Sequence, residues 1–120
     1  MSLQLQIEEM PGYLTARFTG VGTPEEVWQK FELIAERCKY TNNNKLLLDI
    51  TGAYGDVSIA DRYFVGKSGQ IFAWYKIKVA SVCRPEQMDP QKFEEMVARN
   101  LGVNVRAFTD AQSAEEWLLK

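Results

Sequence analysis

A chain of 120 residues is long enough to bury one hydrophobic core and too short for two independent units, which predicts a single domain over residues 1–120. With 46% hydrophobic and 25% charged residues, its composition is typical of a globular protein rather than a disordered or fibrous one. The net charge of -2 argues against a nucleic-acid binder, and the absence of histidine removes the side chain most used as a general base or zinc ligand. We therefore expect no nucleic acid, no metal, no cofactor and no enzymatic reaction.

The N-terminus and the cysteines bear on the compartment. The chain does not begin with a basic region followed by an apolar run, and no segment reaches the roughly 18 apolar residues of a membrane span. Cys38 and Cys83 have no CxxC spacing and lie in a predicted helix and a predicted strand, which favours buried free thiols over a disulfide. We predict a cytoplasmic protein without a membrane span.

The first part of the chain predicts two strands, a helix and a third strand. Leu3, Leu5 and Ile7 alternate with glutamines, which is typical of a half-buried strand, and a Pro-Gly turn leads to a returning strand over residues 13–20. Thr23 is placed to cap the following helix, with Glu26 completing a capping box. The apolar run over residues 45–50 is typical of a parallel strand that is covered on both faces.

The middle of the chain predicts a loop followed by a helix. Glycines favour a loop over residues 51–56, and Ser58 is placed to cap a helix that runs to about residue 72. Gly66 and Gly69 weaken this helix, because each costs on the order of 1 kcal/mol relative to alanine. We expect a bend or a break there, and the two glycines would also let another backbone approach closely.

Two further strands and two further helices are predicted in the last part of the chain. Residues 78–83 and 103–108 have the pattern of strands, and between them Asp89-Pro90 is a clear helix start. Thr109 is placed to cap a last helix. The predicted order is ββαβαβαβα, an α/β fold with a mainly parallel sheet and an antiparallel N-terminal strand.

The carboxyl end of the third strand is the first candidate site, because loops that leave such strand ends meet ligands and partners in α/β folds. The predicted partner-binding edge consists of Asp49, Thr51, Tyr54, Asp56, Ser58 and Arg62. The Asp49 carboxylate could bind a partner's cation, or it could fold back onto backbone N–H groups as in an Asx turn. Ser58 could accept a phosphoryl group at a helix N-terminus, or it could be a structural cap.

The aromatic residues of the middle segment are the second candidate site. More rings occur there than one face of a single helix can hide, so either all of them fill the core or some are covered by another chain or an apolar ligand. The residues predicted for an apolar ligand or for self-association are Tyr63, Phe64, Phe72 and Trp74. A homodimer and a small hydrophobic molecule both remain open as partners.

The element order, together with Leu46-Leu47-Leu48-Asp49-Ile50-Thr51 followed by Ser58, carries a family resemblance over nearly the whole chain. The chain resembles the STAS domains, the anti-sigma-factor antagonist or SpoIIAA-like family, and in particular small stand-alone STAS/Sec14-like bacterial proteins. The resemblance implies a SpoIIAA-like fold and a non-catalytic regulatory module that binds a protein partner.

Two branches of this resemblance imply different uses. In the antagonist branch a partner kinase phosphorylates the serine that follows the strand-terminal Asp by nine positions, which corresponds here to Ser58 after Asp49. Where that family has Asp-Ser-Ser-Gly, this chain has Val57-Ser58-Ile59-Ala60. The Sec14-like branch implies an apolar pocket for a lipid or another hydrophobic molecule. We expect docking of a protein through the edge between the third strand and the second helix, with hydrophobic ligand binding as the alternative.

Overall fold

The computed structural model describes residues 3–54, 59–88 and 91–120. Within them the strands are β1 (Gln4–Met10), β2 (Tyr13–Val21), β3 (Lys45–Tyr54), β4 (Lys78–Val82) and β5 (Asn104–Phe108). The helices are α1 (Pro24–Tyr40), α2 (Ile59–Ser68), α3 (Gln70–Trp74), α4 (Phe93–Asn100) and α5 (Ala111–Leu118), with a 3₁₀ turn at Pro85–Gln87. The strands form one sheet in the order β1-β2-β3-β4-β5. The β1–β2 pair is antiparallel and the other pairs are parallel, which confirms the predicted fold class.

The start of α1 follows the sequence prediction. The Glu26 N–H donates to Thr23 Oγ1 at 3.2 Å, and the Thr23 N–H donates to Glu26 Oε1 at 3.1 Å, so the capping box is complete. The other carboxylate oxygen of Glu26 accepts from the Leu3 N–H at 3.2 Å. One side chain therefore caps α1 and also ties the residue before β1 to this helix.

The third strand is longer than predicted. Residues 52–54 pair with the end of β2 instead of forming a loop, and the register shifts between Arg17 and Thr19, which accommodates an extra residue in β3. The glycine that suggested a loop has another role, because a Cβ at Gly52 would lie 2.8 Å from Thr19 Cγ2. Gly52 lets the two strands approach closely, and the predicted loop is wrong over residues 51–54.

The predicted break in the second helix is confirmed. Gly69 separates α2 from α3. Gly66 serves a close contact inside the chain, since a Cβ there would lie 2.9 Å from the carbonyl oxygen of Glu94 and 3.0 Å from Val97 Cβ. The absence of a side chain at Gly66 therefore lets α2 pack against α4.

Of the predicted starts of α2, α4 and α5, only that of α5 lies within the described residues. The cap of α5 is Asp110 rather than Thr109, because the extended residue Asp110 accepts the Ser113 N–H at 2.7 Å through its carboxylate. The predicted start at Asp89-Pro90 and the predicted cap Ser58 lie outside the described residues. The described part of α4 begins at Phe93.

Helices cover the two faces of the sheet unequally. The helix-rich face carries the larger apolar cluster, to which α1, α3 and α4 contribute. The opposite face, called the α5 face here, carries a smaller cluster under α5, made of Tyr13, Leu47, Ala80, Val82, Ala114 and Leu118. Because alternate residues of a strand point to opposite faces, Leu46 and Leu48 lie in the first cluster and Leu47 lies in the second.

Both cysteines are buried and free, as predicted. Burial raises the pKa of the Cys38 thiol to about 11. None of the described helices has both the length and the apolar composition that a membrane crossing requires.

Candidate functional site

The β3–β4 rim, defined as residues 50–54 and 84–87, lies where these two strands end. The last residue of β4, Val82, pairs with Asp49, so β3 continues past the end of its neighbour. Side chains that follow β4 bind the carbonyl groups of this extension. Gln87 Nε2 donates to the carbonyl oxygens of Ile50 and Ala53 at 2.8 and 2.9 Å. Two backbone acceptors that would otherwise need water or another strand are thereby satisfied.

Arg84 is the central side chain of the β3–β4 rim. Its Nη1 donates to the carbonyl oxygens of Thr51 and Ala53, and its Nε donates to Glu86 Oε1 at 2.8 Å. The guanidinium carbon lies 4.2 Å from the ring centroid of Tyr54, which is the geometry of a cation–π contact. The Arg84 side chain is 24% exposed, whereas Tyr54 is 61% exposed. The rim thus presents a tyrosine ring on a backbone that Arg84 and Gln87 hold in place.

Asp49 lies inside β3 and not at its end, so that part of the prediction is wrong. Its Oδ1 accepts from the Thr51 N–H at 2.9 Å and from Thr51 Oγ1 at 2.7 Å, while Oδ2 accepts from Arg17 Nε at 3.2 Å. Burial alone would raise the pKa of Asp49, but the hydrogen bonds from Thr51 and Arg17 outweigh it and hold the pKa below its usual range. The Asx-type contact is therefore present, next to the register shift of β3.

The six residues of the predicted partner-binding edge are not all brought together. Asp49 and Thr51 contact each other within β3, and Tyr54 contacts Arg84 at the rim. Asp56, Ser58 and the side chain of Arg62 lie outside the described residues. Their role in binding a partner, and phosphorylation of Ser58, stay predictions.

The four predicted aromatic residues divide into two pairs. Phe72 belongs to the core and packs on Phe31, with 5.1 Å between ring centroids, and Phe64 is half-buried against Trp28 at 5.3 Å. Tyr63 and Trp74 are exposed on α2 and α3. The core thus accommodates only part of this set, because α2 and α3 each turn one side to solvent. Self-association through the exposed rings stays a prediction.

A cavity of about 570 Å³ lies between the helix-rich face of the sheet and helices α1, α2 and α4, beside the β3–β4 rim. Its volume is within the range of small-molecule sites. Most of its wall is apolar, with Phe18, Leu48, Ile50, Phe72, Val79 and Val105 among the lining residues. Its polar lining residues include Arg84, Glu86, Gln87, Lys92, Glu94 and Glu95. Phe72, predicted for an apolar ligand, is therefore part of a cavity wall.

Two ionisable groups that line the cavity, Glu95 and Cys83, are mostly buried. The Glu95 carboxylate is mostly buried, accepts from the Ala107 N–H at 3.3 Å and lies 4.0 Å from Lys92 Nζ. Burial and the charge of Glu94 raise the pKa of the Cys83 thiol, which therefore stays protonated near neutral pH. Among the described residues, no group of three or more acidic or cysteine side chains has an arrangement that could hold a metal ion.

Sequence reasoning missed Arg84 and Gln87. The predicted edge includes residues at the end of β3 and none at the end of β4, although the ends of neighbouring strands meet at one edge of a parallel sheet. Arg84 comes two residues after Val82, the end of β4, so the rule that strand ends carry sites would have identified it. Nothing in the pattern of residues indicates that Arg84 would stack on Tyr54.

No family model and no curated protein matches this chain. Solved structures of similar fold include the following two. A DUF3478-family protein with a SpoIIAA-like fold from Shewanella loihica PV-4 has a TM-score of 0.60 at 23% identity, over 98% of this chain and 94% of that one. An anti-sigma factor antagonist from Mycobacterium paratuberculosis has a TM-score of 0.61 at 10% identity, over 98% of this chain and 95% of that one.

The chain has a SpoIIAA-like, STAS-like fold. The predicted resemblance is thereby confirmed at the level of architecture, since both likenesses extend over nearly the full length of the chain. At these identities the likeness concerns the fold, and function has to be argued from the site.

Proposed function

We propose that this chain is a non-catalytic regulatory module that binds a protein partner through the β3–β4 rim. The observation that carries the proposal is the contact between Arg84 and Tyr54, which fixes an exposed aromatic ring at the carboxyl edge of the sheet. The fold is shared with an anti-sigma factor antagonist, a protein whose name describes a regulatory role. Asp56, Ser58 and Arg62 are proposed to extend the same docking surface.

The physical basis is preorganisation. Tyrosine and arginine are enriched among interface residues that contribute most of the binding free energy. Because Arg84 and Gln87 already hold the backbone of residues 50–54, little conformational entropy is lost when a partner covers Tyr54. The exposed carboxylate of Glu86, which is paired with Arg84, adds a polar group beside the ring.

The test compares two exposed tyrosines. A photo-crosslinking amino acid placed at Tyr54 should give a discrete protein adduct in the native host, whereas the same amino acid at Tyr40 on α1 should not. With the captured partner purified, Tyr54→Ala should weaken binding by about 2 kcal/mol or more, as expected of a central interface residue. Tyr40→Ala should leave the affinity unchanged. Identical adducts at both positions, or equal affinities of both variants, would overturn the proposal.

A second candidate function is the binding of a small hydrophobic molecule, and the cavity is the observation that favours it. A partly open, mainly apolar cavity of about 570 Å³ at the carboxyl ends of parallel strands lies where ligands bind in α/β folds. An apolar ligand would supply the contacts that the wall lacks.

Native mass spectrometry of freshly purified protein tests this second function. We expect an added mass that disappears on denaturation, and that is reduced in Val105→Phe because the larger side chain occupies part of the cavity. Val21→Phe is the matched control, since Val21 is exposed at the end of β2. Circular dichroism should show both variants folded. Protein from its own host that is repeatedly free of added mass would count against this function.

A further inference from the structure

We infer that the cavity selects an uncharged apolar molecule and discriminates against an anionic amphiphile of the same chain length. The inference rests on the proposed ligand-binding function and specifies the chemistry of its ligand. It follows from how the charged groups that line the cavity are paired.

The two cations found among the described lining residues both lie near carboxylates of the chain itself. Arg84 is bound to Glu86, to carbonyl oxygens of β3 and to the face of Tyr54. Lys92 lies 4.0 Å from the Glu95 carboxylate, which Arg99 Nε also approaches at 3.8 Å. A carboxylate or phosphate entering the cavity would have to compete with these protein groups for either cation.

The charges of the lining also favour exclusion of an anion. Among the described residues that line the cavity, two cations, Arg84 and Lys92, face three carboxylates, those of Glu86, Glu94 and Glu95, which is a net charge of -1 for this described part of the wall. An anionic head group would lose its water shell at this mouth without meeting a cation that still needs a partner.

The remaining polar groups of the wall suit an uncharged ligand. Ser81 on β4 lines the cavity among apolar side chains, and so does Cys83, whose thiol already donates to the carbonyl oxygen of Phe108 at 3.6 Å. A hydroxyl group can donate or accept one hydrogen bond with a neutral partner, and a thiol does so weakly. A ligand with an apolar body and one hydroxyl or carbonyl group therefore suits this cavity. Its body would contact the apolar side chains, and its small polar end would need one hydrogen-bond partner.

Matched probes of equal chain length test the inference. A neutral fluorescent probe, N-phenyl-1-naphthylamine, is bound to the wild-type protein and displaced by dodecanol or by dodecanoate near neutral pH. Dodecanol should displace the probe at a concentration about tenfold lower, a difference that corresponds to about 1.4 kcal/mol. Val105→Phe should reduce the probe signal, and Val21→Phe should keep it.

A charge variant then locates the origin of the selectivity. Glu86→Gln removes the carboxylate that neutralises Arg84, so dodecanoate should displace the probe severalfold better while dodecanol is unchanged. Glu116→Gln on α5 is the control, because Glu116 is exposed and is not among the residues that line the cavity.

The outcomes separate the two levels of the proposal. Equal or tighter binding of dodecanoate by the wild-type protein would overturn the inference on charge and leave ligand binding intact. Unchanged selectivity in Glu86→Gln would also overturn it. If neither molecule displaces the probe, or if Val105→Phe binds the probe like the wild type, the ligand-binding function fails and the inference fails with it.

Discussion

The two faces of the sheet differ in how completely they are packed. On the α5 face the members of the buried cluster are at most 7% exposed, and the Tyr13 hydroxyl donates to Glu115 at 2.5 Å from strand to helix. The helix-rich face buries more residues and still contains a cavity of about 570 Å³. Because close packing is the norm, the comparison indicates that α5 serves stability, while the larger helical layer leaves space that a ligand could use.

The largest expected effect is on the α5 face. Leu118 is fully buried, so Leu118→Ala should lower the free energy of unfolding by about 2–5 kcal/mol through lost burial and a new void. Urea unfolding measures the change. Leu33→Ala is the control, because Leu33 is 51% exposed on α1 and should change the free energy by no more than about 0.5 kcal/mol. Equal losses in the two variants would contradict the tight packing of this face.

A second pair of substitutions compares the two faces with the same added volume. Ala80 is fully buried under α5, so Ala80→Leu should destabilise the protein by about 1–3 kcal/mol through overpacking. Ala107 on β5 lines the cavity, so Ala107→Leu should cost less than about 1 kcal/mol or should stabilise the protein. Thermal and urea unfolding of both variants measure the difference. If Ala107→Leu is the more destabilising change, the cavity does not provide the space described.

Local features were the part of the fold that the sequence predicted well. The Thr23–Glu26 capping box and the break at Gly69 depend on residues that are close in sequence, so the sequence pattern was sufficient to predict both. Gly52 was assigned to a loop because its role depends on the approach of Thr19 from another strand. The contact of Arg84 with Tyr54 and the cavity depend on how distant elements pack, and no local pattern encodes them.

A third prediction concerns the seam between α2 and α4 on the helix-rich face. Gly66→Ala would place a Cβ 2.9 Å from the Glu94 carbonyl oxygen, which forces the helices apart. The gain in helix propensity offsets part of this, and we expect a net loss of about 1–2 kcal/mol in urea unfolding. Gly69→Ala is the control, since its nearest atom would be 3.4 Å away and its φ of -71° suits alanine. A neutral Gly66→Ala would mean that the seam yields easily.

The smallest expected effect is on the pH dependence of stability, through the ion pair between Arg17 and Asp49 on the α5 face. The pKa of Asp49 is lowered in the folded protein, because hydrogen bonds from Thr51 and Arg17 outweigh the effect of burial. A lowered folded pKa means that the stabilisation is fully present above the unfolded value of about 3.9, and that it is lost as the pH falls through the folded pKa.

Asp49→Asn keeps the shape of the side chain and removes its charge, so it should cost less than about 1 kcal/mol near neutral pH, as expected of a pair with a partly exposed arginine. The difference should begin to shrink below about pH 4, and the variant and the wild type should converge as the pH falls through the lowered pKa of Asp49. Urea unfolding from neutral pH to pH 3 measures both, with Glu8→Gln on the exposed side of β1 as the control. A constant difference at every pH would assign the loss to the altered hydrogen bonds with Thr51, because only the charge of Asp49 can produce convergence in acid.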